Sequence, residues 1–265
     1  MTSASRWDDL TPRLLSAAVM SVLGFGLVVA GDPWISVLAT AVGGIMTWEA
    51  AHVTSPARKG QAVGLGVAAA VVLGLLFWNH SPTWMVYLPV PALIGAILPG
   101  RDRIGFLLAA LGIVLACYAL VAFRGGLGLG FVLWVCLVVI ASDTLGYFAG
   151  RMIGGPKFWP RLSPKKTWSG TIAGWNGAAG VGAAFWLLAG APGWIVPFSA
   201  LVALAGQMGD IGESAVKRRS GVKDASHLIP GHGGLMDRLD ALSGAALFLL
   251  AWGAVLPLPA FGAVP

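Results

Sequence analysis

LGFVLWVCLVVIASDTLGYFAG, residues 129–150, decides what kind of protein this is. The run carries a single charged side chain, Asp143, and is otherwise apolar or small. A helix crossing the hydrocarbon core of a bilayer needs about 20 such residues, so the stretch reads as a membrane span with an acid near one end. The rest of the chain has the same character. Its 265 residues are 57% hydrophobic and 11% charged, where a soluble domain has roughly 25% charged residues. Mean hydropathy is +0.81, which implies an all-α, polytopic membrane protein. The 38 glycines are spread through the apolar runs, where small residues let helix backbones approach one another.

Working outward from 129–150, further runs lie near 13–30, 34–53, 61–79, 84–99 and 104–123 on the N-terminal side. Others lie near 170–189, 194–215 and 241–261 on the C-terminal side. The run at 84–99, containing WMVYLPVPALIGAIL, is short and broken by proline. The start, MTSASRWDDLTPRLL, leads into a full-length apolar run like the later ones, so it reads as a first span rather than a secretory signal. The expected count is about nine spans.

Lysine and arginine orient them. Segments that alternate along this count hold all but one of the 17 basic residues, Arg124 being the exception. Basic loops stay on the cytoplasmic side, which places the N-terminus inside and the C-terminus outside. Two basic stretches, around 151–168 and 216–240, then face the cytoplasm. The formal charge of +6 is therefore a matter of topology and anionic ligands, and no nucleic-acid partner is implied. Cys117 and Cys136 both fall in apolar runs and are expected as small buried side chains, with no disulfide or zinc site.

Polarity gathers in the C-terminal half. Residues 1–140 hold the N-terminal spans, about five and the beginning of a sixth. Residues 141–265 hold the charged groups suited to chemistry. The densest stretch is GQMGDIGESAVKRRSGVKDASHLIPGHGGLMDRLD, residues 206–240. Asp210, Glu213, Ser214 and Lys217 share one helix face, and Asp237 and Asp240 are one turn apart at the start of the last span. Acids within spans are costly and face the protein interior with a partner. Asp210, Asp237 and Asp240 would offer hard oxygen ligands of the kind Mg2+ takes. Lys217, Arg218, Arg219, Lys223 and Arg238 beside them suit a polyanion. In PGHGG, the glycines allow backbone amides close to phosphate. A second group combines Asp143, Thr144, Tyr147 and Arg151 with Ser163, Lys165, Lys166 and Thr167 just before a span. Hydroxyls and lysines at a helix start bind phosphate, or Lys165 and Lys166 serve only to hold the loop inside. Glu49, alone near the end of the second span, reads as a snorkelling or capping acid and is left out of the expected site.

Residues 214–240 resemble the signature of the phosphatidate cytidylyltransferases, or CDP-diacylglycerol synthases. The shared elements are Ser214, Lys217 and Arg218, then Lys223 and Asp224, then Pro230 to Gly234, then Asp237, Arg238 and Asp240. Asp143–Thr144, Gly150–Arg151 and Ser163 to Thr167 match earlier family segments, while Ser169 stands where the family often has glutamate. The resemblance implies transfer of the cytidylyl group of CTP to phosphatidic acid, with one or two Mg2+ ions, a monovalent cation as a further candidate, and a homodimer. Asp210, Lys217, Lys223, Asp237, Arg238 and Asp240 are then the expected catalytic residues, with Asp210, Asp237 and Asp240 on the metal. Asp143, Ser163, Lys166, Thr167, Ser214, Arg218, His232, Gly233 and Gly234 are expected to bind substrate, His232 by shaping the turn or donating to phosphate. Intramembrane acids also mark ion-coupled transporters, the competing expectation. Against it, the acids gather at one face beside cationic loops, and no repeated pair of broken helices is evident. A CDP-alcohol phosphotransferase would carry a D-G-x-x-A-R segment, which this sequence lacks.

Overall fold

The computed structural model describes residues 10–79, 82–98, 102–160, 162–229 and 233–261. Among them are nine α-helices: α1 Leu10–Ala30, α2 Trp34–Thr54, α3 Lys59–Asn79, α4 Val90–Ile97, α5 Arg103–Gly126, α6 Gly128–Met152, α7 Trp168–Leu188, α8 Ile195–Arg219 and α9 Met236–Gly253. The protein is an all-α membrane protein. In lipid, a backbone must satisfy its own hydrogen bonds, so glycine-rich apolar runs still fold as helices. Five of them, α2, α3, α5, α6 and α8, have the length and apolarity to cross a membrane. Their 21 to 25 residues reach about 32 to 38 Å at 1.5 Å per residue, against a hydrocarbon core about 30 Å thick.

Two stretches fold differently from a single long helix. The run at 84–99 forms a 3-10 turn, Pro82–Tyr87, followed by the eight-residue α4. Pro89 sits at the N-cap of α4 and Pro91 in its first turn, positions that tolerate a missing N–H where a helix interior does not. The last helix begins earlier than its apolar run, at Met236, and ends at Gly253 before Pro257 and Pro259. Between α6 and α7, β1 Lys157–Trp159 and β2 Ser163–Thr167 pair antiparallel, with Lys157 opposite Thr167 and Trp159 opposite Ser163.

The fold divides into two compact units. The first contains α1 to α4, α5 as far as Cys117, and the segment 219–239. There α2 and α3 pack almost backbone to backbone: a Cβ on Gly66 would stand 2.8 Å from the Gly44 carbonyl oxygen. On α3, Ala62, Leu65, Ala69, Leu73 and Leu76 are buried, while Val63, Val67, Val71, Leu75 and Trp78 are exposed. A helix apolar on both faces is what a bilayer-facing element requires.

The second unit runs from Tyr118 to Arg218 and resumes at Asp240. Its core is aromatic. Trp134 is fully buried, donates from Nε1 to Ser199 Oγ at 2.9 Å, and stacks on Phe198 with ring centres 6.0 Å apart. The chain past α9 returns to this cluster, where Phe261 meets Phe131, Trp134 and Phe185. Cys117, in the first unit, is buried, and Cys136, in the second, is half-buried; both are free thiols.

Candidate active site

In the second unit, carboxylates from α8 and α9 converge because the two helices nearly touch. A Cβ on Gly209 would lie 2.5 Å from the Asp240 carbonyl oxygen and 2.8 Å from Gly244 Cα. Only glycine at both positions allows that approach, and it sets Asp210, the next residue on α8, against Asp240 on α9. Glu213, one turn after Asp210, joins them: Asp210, Glu213 and Asp240 each offer an oxygen, all within 4.8 Å of one another. Clustered carboxylates repel unless a cation or proton lies among them, and an all-oxygen donor set suits a hard divalent ion. These residues therefore fit a hard divalent cation.

Cations flank the cluster. Lys166 Nζ lies 2.5 Å from Asp210 Oδ2, each side chain about a quarter exposed. Strand alternation along β2 puts Lys165 on the opposite face, exposed. Lys217 is buried and pairs with Glu213 at 2.8 Å. Ser214 Oγ donates to Asp210 Oδ1 at 3.4 Å, and Asp143 on α6 interacts electrostatically with both Lys166 and Asp210.

The supporting contacts are polar as well. Thr167 is the N-cap of α7, its Oγ1 accepting from Gly170 N at 3.2 Å, so this hydroxyl is committed to starting a helix. Ser169 contacts Thr167 Oγ1 at 3.0 Å and donates to the Gly154 carbonyl at 2.5 Å, which ties the hairpin's approach to the same cap. Ser163 lies at the start of β2, opposite Trp159. One turn before Asp210, Gln207 Oε1 accepts from Trp175 Nε1 at 3.1 Å and Gln207 Nε2 donates to Ser142 Oγ at 3.3 Å. That buried network joins α6, α7 and α8 just below the acids. Arg218 is exposed near the end of α8.

In the first unit Asp237 sits in a clamp of backbone amides. Asp237 accepts from Ala225 N at 2.9 Å and from Gly234 N at 2.7 Å. Gly233 has φ +85°, a left-handed conformation, and a Cβ there would come 2.9 Å from Asp237 Oδ2. Ile229 N donates to Gly233 O at 2.9 Å. Lys223 and Arg238 are exposed. His232 lies outside the described residues. Two acids omitted from the expected site stand out: Glu213, in the cluster above, and Glu49, which is completely buried and accepts from Ser226 Oγ, Leu235 N and Met236 N. Glu213 was legible in the Asp210 stripe. Glu49 had no local signal, since its partners lie 177 to 187 residues away in sequence.

Residues 11–256 match the model of the cytidylyltransferase family. A phosphatidate cytidylyltransferase of Brucella abortus is 33% identical over 259 residues, 95% of this chain and 96% of that one. One of Bacillus subtilis is 28% identical over 275 residues, covering 91% and 96%. One of Haemophilus influenzae is 43% identical over 129 residues, covering 46% and 44%. With carboxylates and lysines gathered at helix ends of a membrane protein, and a match along nearly the whole sequence, the chain belongs to the cytidylyltransferase family.

Proposed function

We propose that the protein transfers the cytidylyl group of CTP to phosphatidic acid, releasing pyrophosphate and leaving CDP-diacylglycerol in the membrane. The observation that carries this reading is the convergence of Asp210, Glu213 and Asp240 beside Lys166 in a membrane protein of this family. The phosphate of phosphatidic acid is already an anionic nucleophile. One of its oxygens attacks the α-phosphorus of CTP, a P–O bond forms, and the bond to the β-phosphate breaks as pyrophosphate takes the electron pair. Such a step needs alignment and charge neutralisation more than a general base.

Asp210, Asp237 and Asp240 would hold one or two Mg2+ ions, with Glu213 added to the set; Asp237 enters on its helical spacing from Asp240. When bound there, such an ion would supply neutralisation of charge on phosphate oxygens. A monovalent cation is a further component of the same acidic site. Lys166, held by Asp210, together with Lys217, Lys223 and Arg238, neutralises the triphosphate and the lipid phosphate. Asp143, Ser163, Thr167, Ser214, Arg218, His232, Gly233 and Gly234 orient the substrates. The membrane is crossed nine times, the 3-10 turn and α4 together making the fourth crossing, with the N-terminus in the cytoplasm. CTP then arrives from the cytoplasm and the lipid from the side. Two copies associate, a reading carried by the family resemblance.

The test is release of pyrophosphate by the purified protein in detergent, where no membrane potential exists. Release that requires both CTP and phosphatidic acid supports the reading. No release with both present contradicts it and favours the transporter.

A further inference from the structure

Glu49 is an acid with zero exposure on α2, and its oxygens serve one segment of the chain. Oε1 accepts from Ser226 Oγ at 2.6 Å and from Leu235 N at 2.9 Å, and Oε2 accepts from Met236 N at 2.7 Å. The N–H groups at the start of a helix have no partner within it, and a negative charge there is favoured by the helix dipole. A cap normally comes from the adjoining residues. Here, three successive N–H groups at the start of α9 are divided between two carboxylates: Gly234 N goes to Asp237, while Leu235 N and Met236 N go to Glu49 from another helix. The fit leaves no slack, since a Cβ on Gly234 would lie 2.6 Å from Glu49 Oε1. Ser226, which donates to Glu49, also accepts from Leu228 N at 3.1 Å, so the same acid grips the loop that follows Lys223 and Asp224.

We propose that Glu49 is a positioning residue for the transfer reaction: from α2 it fixes the start of α9 and thereby Asp237, one turn ahead of Asp240 on the same helix. Because those two acids belong to the proposed metal set, the role rests on that reading. The oxygens of Glu49 are engaged by Ser226, Leu235 and Met236. Glu49 acts through the backbone of Leu235 and Met236, as groups behind metal ligands commonly do.

The experiment compares Glu49→Gln, Glu49→Asp and Asp240→Asn in the full-length protein in detergent, below the melting temperature of each. Three quantities are read: kcat and KM for CTP, binding of Mn2+ by the EPR signal of the free ion, and thermal stability. Glu49→Gln turns an amide N–H2 toward a backbone N–H. It is expected to lower kcat and weaken Mn2+ binding by about 10- to 100-fold, with KM for CTP changed far less. Glu49→Asp, which keeps a carboxylate, recovers part of the loss. A Glu49→Gln protein that melts earlier but keeps kcat and Mn2+ affinity within about twofold of the original overturns the positioning role. Mn2+ binding lost in Asp240→Asn but intact in Glu49→Gln overturns the role of Glu49 alone. Binding intact in Asp240→Asn contradicts the metal reading, and the role of Glu49 with it.

Discussion

Lys166 and Lys165 differ in surroundings because a strand alternates its faces. Lys166 meets Asp210 at 2.5 Å, and Lys165 is exposed on the other face of β2. Lys166→Ala is therefore expected to lower kcat/KM for CTP by about 10-fold or more, as loss of a charge-assisted contact does. Lys165→Ala should change it little; steady-state kinetics on the two variants side by side decide the matter, and equal losses would remove the assignment. Glu213→Gln removes the carboxylate that pairs with buried Lys217 and takes one charged oxygen from the acidic cluster, so stability should fall and the proposed metal should bind more weakly. A titration of activity against Mg2+ should shift to higher concentration. At this scale the sequence was informative where spacing is local. Asp210, Glu213, Ser214 and Lys217 fall on one helical stripe, and that stripe is readable from the order of residues alone. Glu49 was not readable, because its partners are backbone amides of Leu235 and Met236, which carry no mark in the sequence.

Helix ends make the site, and the contact between α8 and α9 sets their separation. A methyl group at Gly209 would collide with the Asp240 carbonyl oxygen at 2.5 Å, which is backbone and has nowhere to move without shifting α9. Gly209→Ala should cost about 1 to 3 kcal/mol of stability, as overpacking does, and should impair turnover by displacing Asp240 from Asp210. Thermal unfolding in detergent with a parallel activity assay checks this; a variant stable and active as before would show that the close approach is dispensable. The long helices α2, α3, α5, α6 and α8 follow apolar runs that the sequence displays openly. Elements governed by proline or by very short pairing were less legible. Pro89 and Pro91 divide the fourth run into a 3-10 turn and α4, and the three-residue β1 is too short for an alternating pattern to register.

On the scale of the whole molecule, the proposed orientation and the proposed chemistry depend on each other, since CTP is water-soluble and its lipid partner is not. On the proposed orientation the basic loops around 151–168 and 216–240 face the cytoplasm. Cysteines introduced at the exposed positions Lys157 and Lys223 should react with a membrane-impermeant thiol reagent in inside-out vesicles and resist it in intact cells. The reverse pattern would invert the topology. Native Cys117 is buried and Cys136 half-buried in apolar helices, so both give a low background. The most direct measurement follows the reacting phosphorus itself. CTP labelled at the α-phosphate is supplied with phosphatidic acid and Mg2+ to the purified protein and to its Asp240→Asn variant. The account predicts label in the lipid fraction with equimolar pyrophosphate, abolished by chelating the metal and reduced about 100-fold or more in Asp240→Asn. Label that stays in the aqueous phase, or lipid labelling that Asp240→Asn leaves unchanged, would contradict it.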